Sequence, residues 1–171
     1  MSVTTMETAP AMHDSLNEET LKRCFGEYPS GLTIVTTSVM GSPVGFTCQA
    51  FHSVSIDPPL VSFLVMNSST TYPLIREVGR FAVNVLAEHQ ADTAMQFARK
   101  NADRWSGVEW AHGASGVPTL TDSLAVFECD LWAEHEAGDH TIVIGHVTGL
   151  RIAETETEPL VYHRSRFRNL R

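Results

Sequence analysis

Two long segments, LAVFECDLWAEHEA (124–137) and TIVIGHVTGLRIAE (141–154), flank Gly138-Asp139, and nothing else in the chain limits its possible folds so tightly. Glycine and aspartate supply the backbone conformations of a tight turn, so the pair reads as an antiparallel hairpin. Further strands follow from composition. LTIVTTSVM (32–40) is β-branched, Gly41-Ser42-Pro43 turns into the next segment, LVSFLVM (60–66) is a short apolar run of the central type, FAVNVLA (81–87) is another, and LVYH closes the series. Three helices are expected. The first opens on the capping-box spacing Ser15-Leu16-Asn17-Glu18, carries Leu21, Cys24, Phe25 and Tyr28 on one face, and stops at Pro29-Ser30-Gly31. The second runs from Pro73 to about Gly79, and the third carries the stripe Ala91, Ala94, Met95, Ala98. Residues 105–116 read as loop. Six or seven strands with no regular βαβ alternation favour a mainly β, antiparallel barrel with helical decorations over a doubly wound sheet.

Composition excludes several functions. With 171 residues, 43% hydrophobic and 19% charged, the chain suits one globular domain over residues 15–171, preceded by a flexible tail at 1–14. Twelve basic against 20 acidic side chains give a net charge of -8, with no basic footprint for nucleic acid or an anionic membrane. Cys24, Cys48 and Cys129 contain no CxxC and suit a reducing compartment. No apolar run reaches the ~20 residues of a membrane span, and the N-terminus lacks the layout of a signal peptide. The expected location is the cytoplasm.

Neither GxGxxG nor GxxxxGK[ST] occurs, so the usual phosphate cradles are missing. The best substitute is Asn67-Ser68-Ser69-Thr70-Thr71, small donors between a buried strand and a helix start. A Ser/Thr-rich capping turn is the plainer reading of the same residues. Glu134, His135, Asp139, His140 and His146 invite a metal reading. However, six strand residues separate His140 from His146 by roughly 20 Å, too far to share an ion, and no metal is expected. Cys48 has no base placed beside it and reads as a small half-buried side chain, not a nucleophile. The residues around it, PVGFTCQAFHSVS, are small and polar where a strand should be building core.

Seven pieces in register, PSGLTIVTT, GFTCQAFHSVSIDPPLVSF, NSSTTYPLI, GRFAVNVLAEHQ, GVPTL, GDHTIVIGHV and PLVYHRSRF, resemble the flavin reductase-like family. These are the small reductase components of two-component flavin monooxygenases. The resemblance implies a split β-barrel homodimer that uses NADH or NADPH to reduce FMN or FAD for a separate oxygenase. It implies that residues 45–55 lie along the flavin, with Phe46, Thr47, Cys48, Gln49, Ala50 and Ser53 in contact. Asn67, Ser69 and Thr70 would hold the phosphate, and Pro29, Ser30, Thr33 and Thr36 would border the ring. His140 falls on the family's Gly-Asp-His, near the nicotinamide, and is the candidate catalytic residue. Arg164 and Phe167 belong to the family's C-terminal segment, where Ser165-Arg166 replaces two glycines and Phe167 a tyrosine. Arg166 is thereby a candidate reader of the NADPH 2′-phosphate. Cys48-Gln49 replaces the commoner Ala-Ser. The rival readings are a non-catalytic flavin carrier, a split-barrel oxidase with tightly held FMN, and a barrel with no ligand. The oxidase would need more Arg and Lys than the sequence shows near its donor turns.

Overall fold

The computed structural model describes residues 12, 16–100 and 102–170, so the expected tail, Met12 apart, and the expected cap Ser15 lie outside the described residues. Helix α1 (Glu18–Gly26) is capped instead by Asn17, whose side chain accepts from the Thr20 N–H at 2.9 Å. It buries no residue, and Phe25 and Tyr28 are 70% and 68% exposed. The apolar face expected from the periodicity thus meets no core among the described residues.

After α1 come β1 (Ser30–Gly31), β2 (Thr33–Val39), β3 (Ser42–Cys48), β4 (Phe51–Ser55) and β5 (Leu60–Met66). Helix α2 (Tyr72–Val78), β6 (Arg80–Val85) and helix α3 (Ala91–Ala98) follow. The chain then runs through β7 (Trp110–His112), β8 (Pro118–Leu120), β9 (Ala125–Ala137), β10 (His140–Ile152), β11 (Val161–His163) and β12 (Arg166–Arg168). The short strands β1, β7, β8 and β12 are too brief to leave a periodic signal, and β7 falls in the stretch read as loop. In α3 the buried residues are Ala94 and Phe97, while Met95 is exposed, so the apolar stripe is rotated from the one expected.

Seven strands form one antiparallel sheet in the order β3-β2-β6-β9-β10-β5-β4. Its two outer strands, β3 and β4, are joined by Gln49-Ala50 alone. A sheet whose opposite edges are consecutive in the chain has to curl until those edges meet. The Leu64 N–H donating to the Ala50 carbonyl at 3.0 Å marks that junction. The mainly β, antiparallel architecture with three helices is as expected. The long hairpin pairs Ala125 with Ile152 and Ala137 with His140, with irregularities at Ile144/Gly145 and Val147/Gly149. Gly145 is required there, because a Cβ would lie 2.5 Å from the Phe81 ring.

Phe63 centres the main core, with Tyr72 and Phe81 edge-on at 6.0 and 5.3 Å between ring centroids. Leu32, Ile34, Leu86, Phe97, Leu120 and Leu160 form a second cluster under α3. Asn84 stitches the two sides together by donating to the Ile34 carbonyl and accepting from the Leu120 N–H at 2.8 Å.

Candidate active site

A cleft of about 480 Å³ opens at the end of β3 and β5. Thr47, Cys48, Gln49 and Ala50 form one wall, Leu64 and Phe97 supply apolar surface, and the turn at 68–71 closes one end. This size lies in the usual range for small-molecule sites. The small, polar character of the β3 end has a local cause, since this edge strand lies between α3 and the cleft. The Thr47 hydroxyl donates to the Ala94 carbonyl at 2.6 Å, anchoring α3. At Gly45 a Cβ would stand 2.9 Å from the Val35 carbonyl oxygen and 3.1 Å from the Phe97 ring. Bulkier residues would push the helix off the sheet.

The turn uses its donors unequally. Ser69 Oγ accepts from the Tyr72 N–H at 3.1 Å, and Thr71 Oγ1 accepts from Arg104 at 3.0 Å. The hydroxyls of Ser68 and Thr70, also on the cleft wall, have no partner among the described residues. Arg104 is fixed by three further carbonyl contacts, to Gly45 at 2.8 Å and to Arg99 at 3.1 and 3.0 Å. Burial lowers its guanidinium from its ordinary value, yet an arginine stays charged. Lys100 also lines the cleft and pairs with no carboxylate among the described residues. Helix α2 spans only Tyr72–Val78, so the preference for an anion comes from these two cations and the free hydroxyls. Sequence reasoning missed both cations. Their signal was the run ARKNADR, three of only 12 basic residues within six positions of each other.

His140 lines the cleft and meets Asp139 at 2.7 Å. That hydrogen bond and the charge beside it hold the Asp139 carboxyl below its ordinary value. Asn67, expected on the phosphate, is committed to the hairpin. Its side-chain amide donates to the Gly138 carbonyl at 3.1 Å, its oxygen accepts from Thr141 at 2.9 Å, and its backbone N–H donates to the Asp139 carbonyl. Its observed work is to position the loop that presents His140.

Cys48 is buried with its thiol against the Ala50 and Leu64 carbonyls, and burial pushes it up to about 11. Such a shift disfavours the thiolate that a nucleophile would need near neutrality. Thr33 and Thr36 do not border the cleft. Both are buried, with hydroxyls donating to the Cys48 and Pro118 carbonyls at 2.9 and 2.6 Å, because β2 is a central strand. Ser53 is exposed on the outer strand β4, beyond the residues lining the cleft. Pro29, Ser30, Arg164 and Phe167 gather elsewhere, around the three-stranded sheet β1-β11-β12. There Ser30 pairs with Tyr162, Phe167 packs on Tyr162 at 5.7 Å, and Arg164 bonds Glu27 at 2.9 Å. The Ser30 hydroxyl is buried without a partner among the described residues. His146 stacks on Trp132 at 5.6 Å. Among the described residues no group of three His, Cys, Asp or Glu could hold a metal.

A curled antiparallel sheet whose cleft joins an apolar wall to hydroxyls unpartnered among the described residues and two cations has the parts that a flat, phosphate-bearing ligand requires. The chain belongs to the family described as the flavin reductase like domain, whose model matches residues 25–171. It is 36% identical over 154 residues to the flavin-dependent monooxygenase reductase subunit HsaB of Rhodococcus jostii, covering 90% of this chain and 78% of that protein. Likewise, it is 37% identical over 146 residues to the FMN reductase (NADH) SmoA of Agrobacterium fabrum, covering 85% and 82%. The NADH:FAD oxidoreductase SgcE6 of Streptomyces globisporus, solved with NAD and FAD fragments, superposes with a TM-score of 0.88 at 32% identity. The match covers 95% of this chain and 98% of that one.

Proposed function

We propose that the chain reduces FMN or FAD with NADH or NADPH and passes the reduced flavin to a separate monooxygenase. The observation that carries this reading is one cleft lined by Lys100, Arg104, Ser68 and Thr70 together with the apolar surface of Leu64 and Phe97. The two bound cofactors supply the chemistry, a hydride passing from nicotinamide C4 to flavin N5. The chain's part is placement. Lys100 and Arg104 would hold the phosphate, the β3 end from Phe46 to Ala50 would lie along the ring and ribityl chain, and His140 would border the nicotinamide side. Asp139 orients the His140 ring through its hydrogen bond. No general acid is required of the protein.

The working form is a homodimer, an expectation supported by the exposed apolar face of α1, which finds no cover among the described residues of one chain. Residues Pro29, Ser30, Arg164 and Phe167 would then act with a second copy, since one chain does not bring them to its own cleft. No helix among the described residues is long and apolar enough to cross a membrane, and the cytoplasm remains the proposed location. Arg166 is exposed on β12. An Arg166→Ala variant with an unaltered NADPH/NADH preference sinks its assignment to the 2′-phosphate.

One rival gains from the structure. Few cations stand near the donor turns in the sequence, but folding brings Lys100 and Arg104 to them, which removes that objection to a tightly held FMN. The deciding experiment is aerobic NADH and NADPH oxidation by purified protein with FMN, FAD or no flavin added. Oxidation that rises and saturates with added flavin supports the reductase. Activity that co-purifies with flavin and ignores added flavin supports the oxidase. Flavin binding without oxidation leaves a carrier.

A further inference from the structure

The turn at one end of the cleft and the hairpin tip that carries His140 are joined at a single residue. The β5-β10 ladder ends on the pair Met66 and His140, so Asn67 lies one step beyond it, beside the tip. Its backbone N–H donates to the Asp139 carbonyl at 2.9 Å and its Nδ2 to the Gly138 carbonyl at 3.1 Å, while its Oδ1 accepts from the Thr141 hydroxyl at 2.9 Å. The residues on both sides of His140 are thereby held. Any residue but proline can make the backbone bond. The other two need a carboxamide, which offers a donor and an acceptor from one short side chain, and the carbonyl facing Nδ2 fixes which way round it sits. The other side of the turn is unfinished. Ser69 is tied by its N–H to the Met66 carbonyl at 2.9 Å and by its Oγ to the Tyr72 N–H. Ser68 and Thr70 are exposed to the cleft, and neither hydroxyl has a partner among the described residues. An anion in the cleft would engage both and fix this side as well.

We propose that Asn67 is a positioning residue that links the flavin's phosphate to the nicotinamide side of the site. Phosphate held by Ser68 and Thr70 steadies the turn, and Asn67 passes that restraint to the hairpin tip and so to His140. The inference rests on the reductase reading. A ligand changes a group it does not touch only through an interaction that differs between two states, and here the difference is the restraint on the turn. A flavin with a phosphate is then the better hydride acceptor even at saturation, apart from any gain in affinity.

The test compares FMN with riboflavin, which lacks the phosphate, in the full chain. At saturating flavin, the wild-type kcat/KM for NADH is expected to be about fivefold higher with FMN. Asn67→Ala should erase that preference by lowering the FMN value alone. Thr141→Val and Asn67→Asp, which each remove one bond of the carboxamide, should leave an intermediate preference and carry the test if Asn67→Ala folds poorly. A merely structural role would lower both flavins alike and keep the preference, which overturns the link, as does an equal wild-type kcat/KM for the two flavins. Amide exchange gives a readout apart from turnover. FMN but not riboflavin should slow exchange at Gly138 to Thr141 in wild type, and neither should in Asn67→Ala. FMN affinity lost in Asn67→Ala with riboflavin affinity kept makes Asn67 a phosphate ligand and removes the link. The two readings fail separately. A wild type that oxidises no NADH with any flavin removes the reductase, and exchange then decides the link, whereas turnover with exchange indifferent to FMN removes only the link.

Discussion

At the scale of single residues, charge and burial decide which side chains can serve the cleft. Lys100 has no structural partner to lose among the described residues, so Lys100→Ala should fold normally. We expect its Kd for FMN to rise about fivefold to tenfold, the size of a charge-assisted contact. Riboflavin, which lacks the phosphate, should bind wild type and variant alike in a fluorescence titration, and an equal loss for both ligands would remove Lys100 from the phosphate. Cys48 gives the opposite expectation. A thiol pushed up to about 11 stays protonated at pH 7.5, so iodoacetamide should modify exposed Cys24 and spare Cys48, as peptide mass spectrometry would read. The hydroxyl-rich turn could be recognised in the sequence because five small donors stand together. The cations stand out as the run ARKNADR, but their place beside the turn does not, because α2, β6 and α3 all lie between Thr71 and Arg104. Thr33 and Thr36 looked like ring contacts only while their strand's place in the sheet was unknown.

Among the elements, the stretch joining β7 to β8 shows how one carboxylate organises a loop. Glu128 of β9 accepts from the Ala114 N–H at 2.9 Å, from the Ser115 N–H at 2.7 Å and from the Ser115 hydroxyl. Burial pushes this carboxyl up, but those donors outweigh it and hold it below its ordinary 4.5. A carboxyl lowered by folding stabilises the native state above its unfolded value. That contribution disappears as pH falls below 4.5 and through the lowered native value. Glu128→Gln should therefore flatten the fall of Tm between pH 5 and pH 3, and an unchanged profile would separate Glu128 from the acid sensitivity. The hairpin turn is a second such junction. Asn67→Ala removes both side-chain bonds to it, so amide exchange at Gly138 to Thr141 should quicken while the β9-β10 ladder stays protected. If Asn67 instead held phosphate, the variant's FMN affinity would fall and riboflavin's would not. The two long strands and their turn were readable from sequence, since alternation over so many residues leaves few alternatives. The apolar stripe of α3 was misread because Met95 and Phe97 are both apolar, and only the neighbouring strand β3 fixes which one is buried.

For the whole molecule, stability is concentrated where the curled sheet closes on itself. Phe63 touches the rings of Phe46, Tyr72 and Phe81, and Phe63→Ala should cost about 3–5 kcal/mol in denaturant unfolding. Assembly follows from what α1 leaves open. Light scattering should give twice the 18.8 kDa of one chain, and Phe25→Asp should shift it towards the monomer. A wild-type monomer at micromolar concentration would remove the proposed dimer. The strand-rich class, the long hairpin, the absence of a Gly-rich phosphate loop and the polar stretch beside Cys48 are all legible without coordinates. These are properties of local pattern, carried by residues a few positions apart. Long-range contacts alone settle that β3 and β4 are opposite edges of one sheet, that Arg104 reaches Thr71, and that the Asn67 side chain bonds the hairpin turn. Each depends on contacts between distant segments, where sheet order and burial, not sequence spacing, choose the partner.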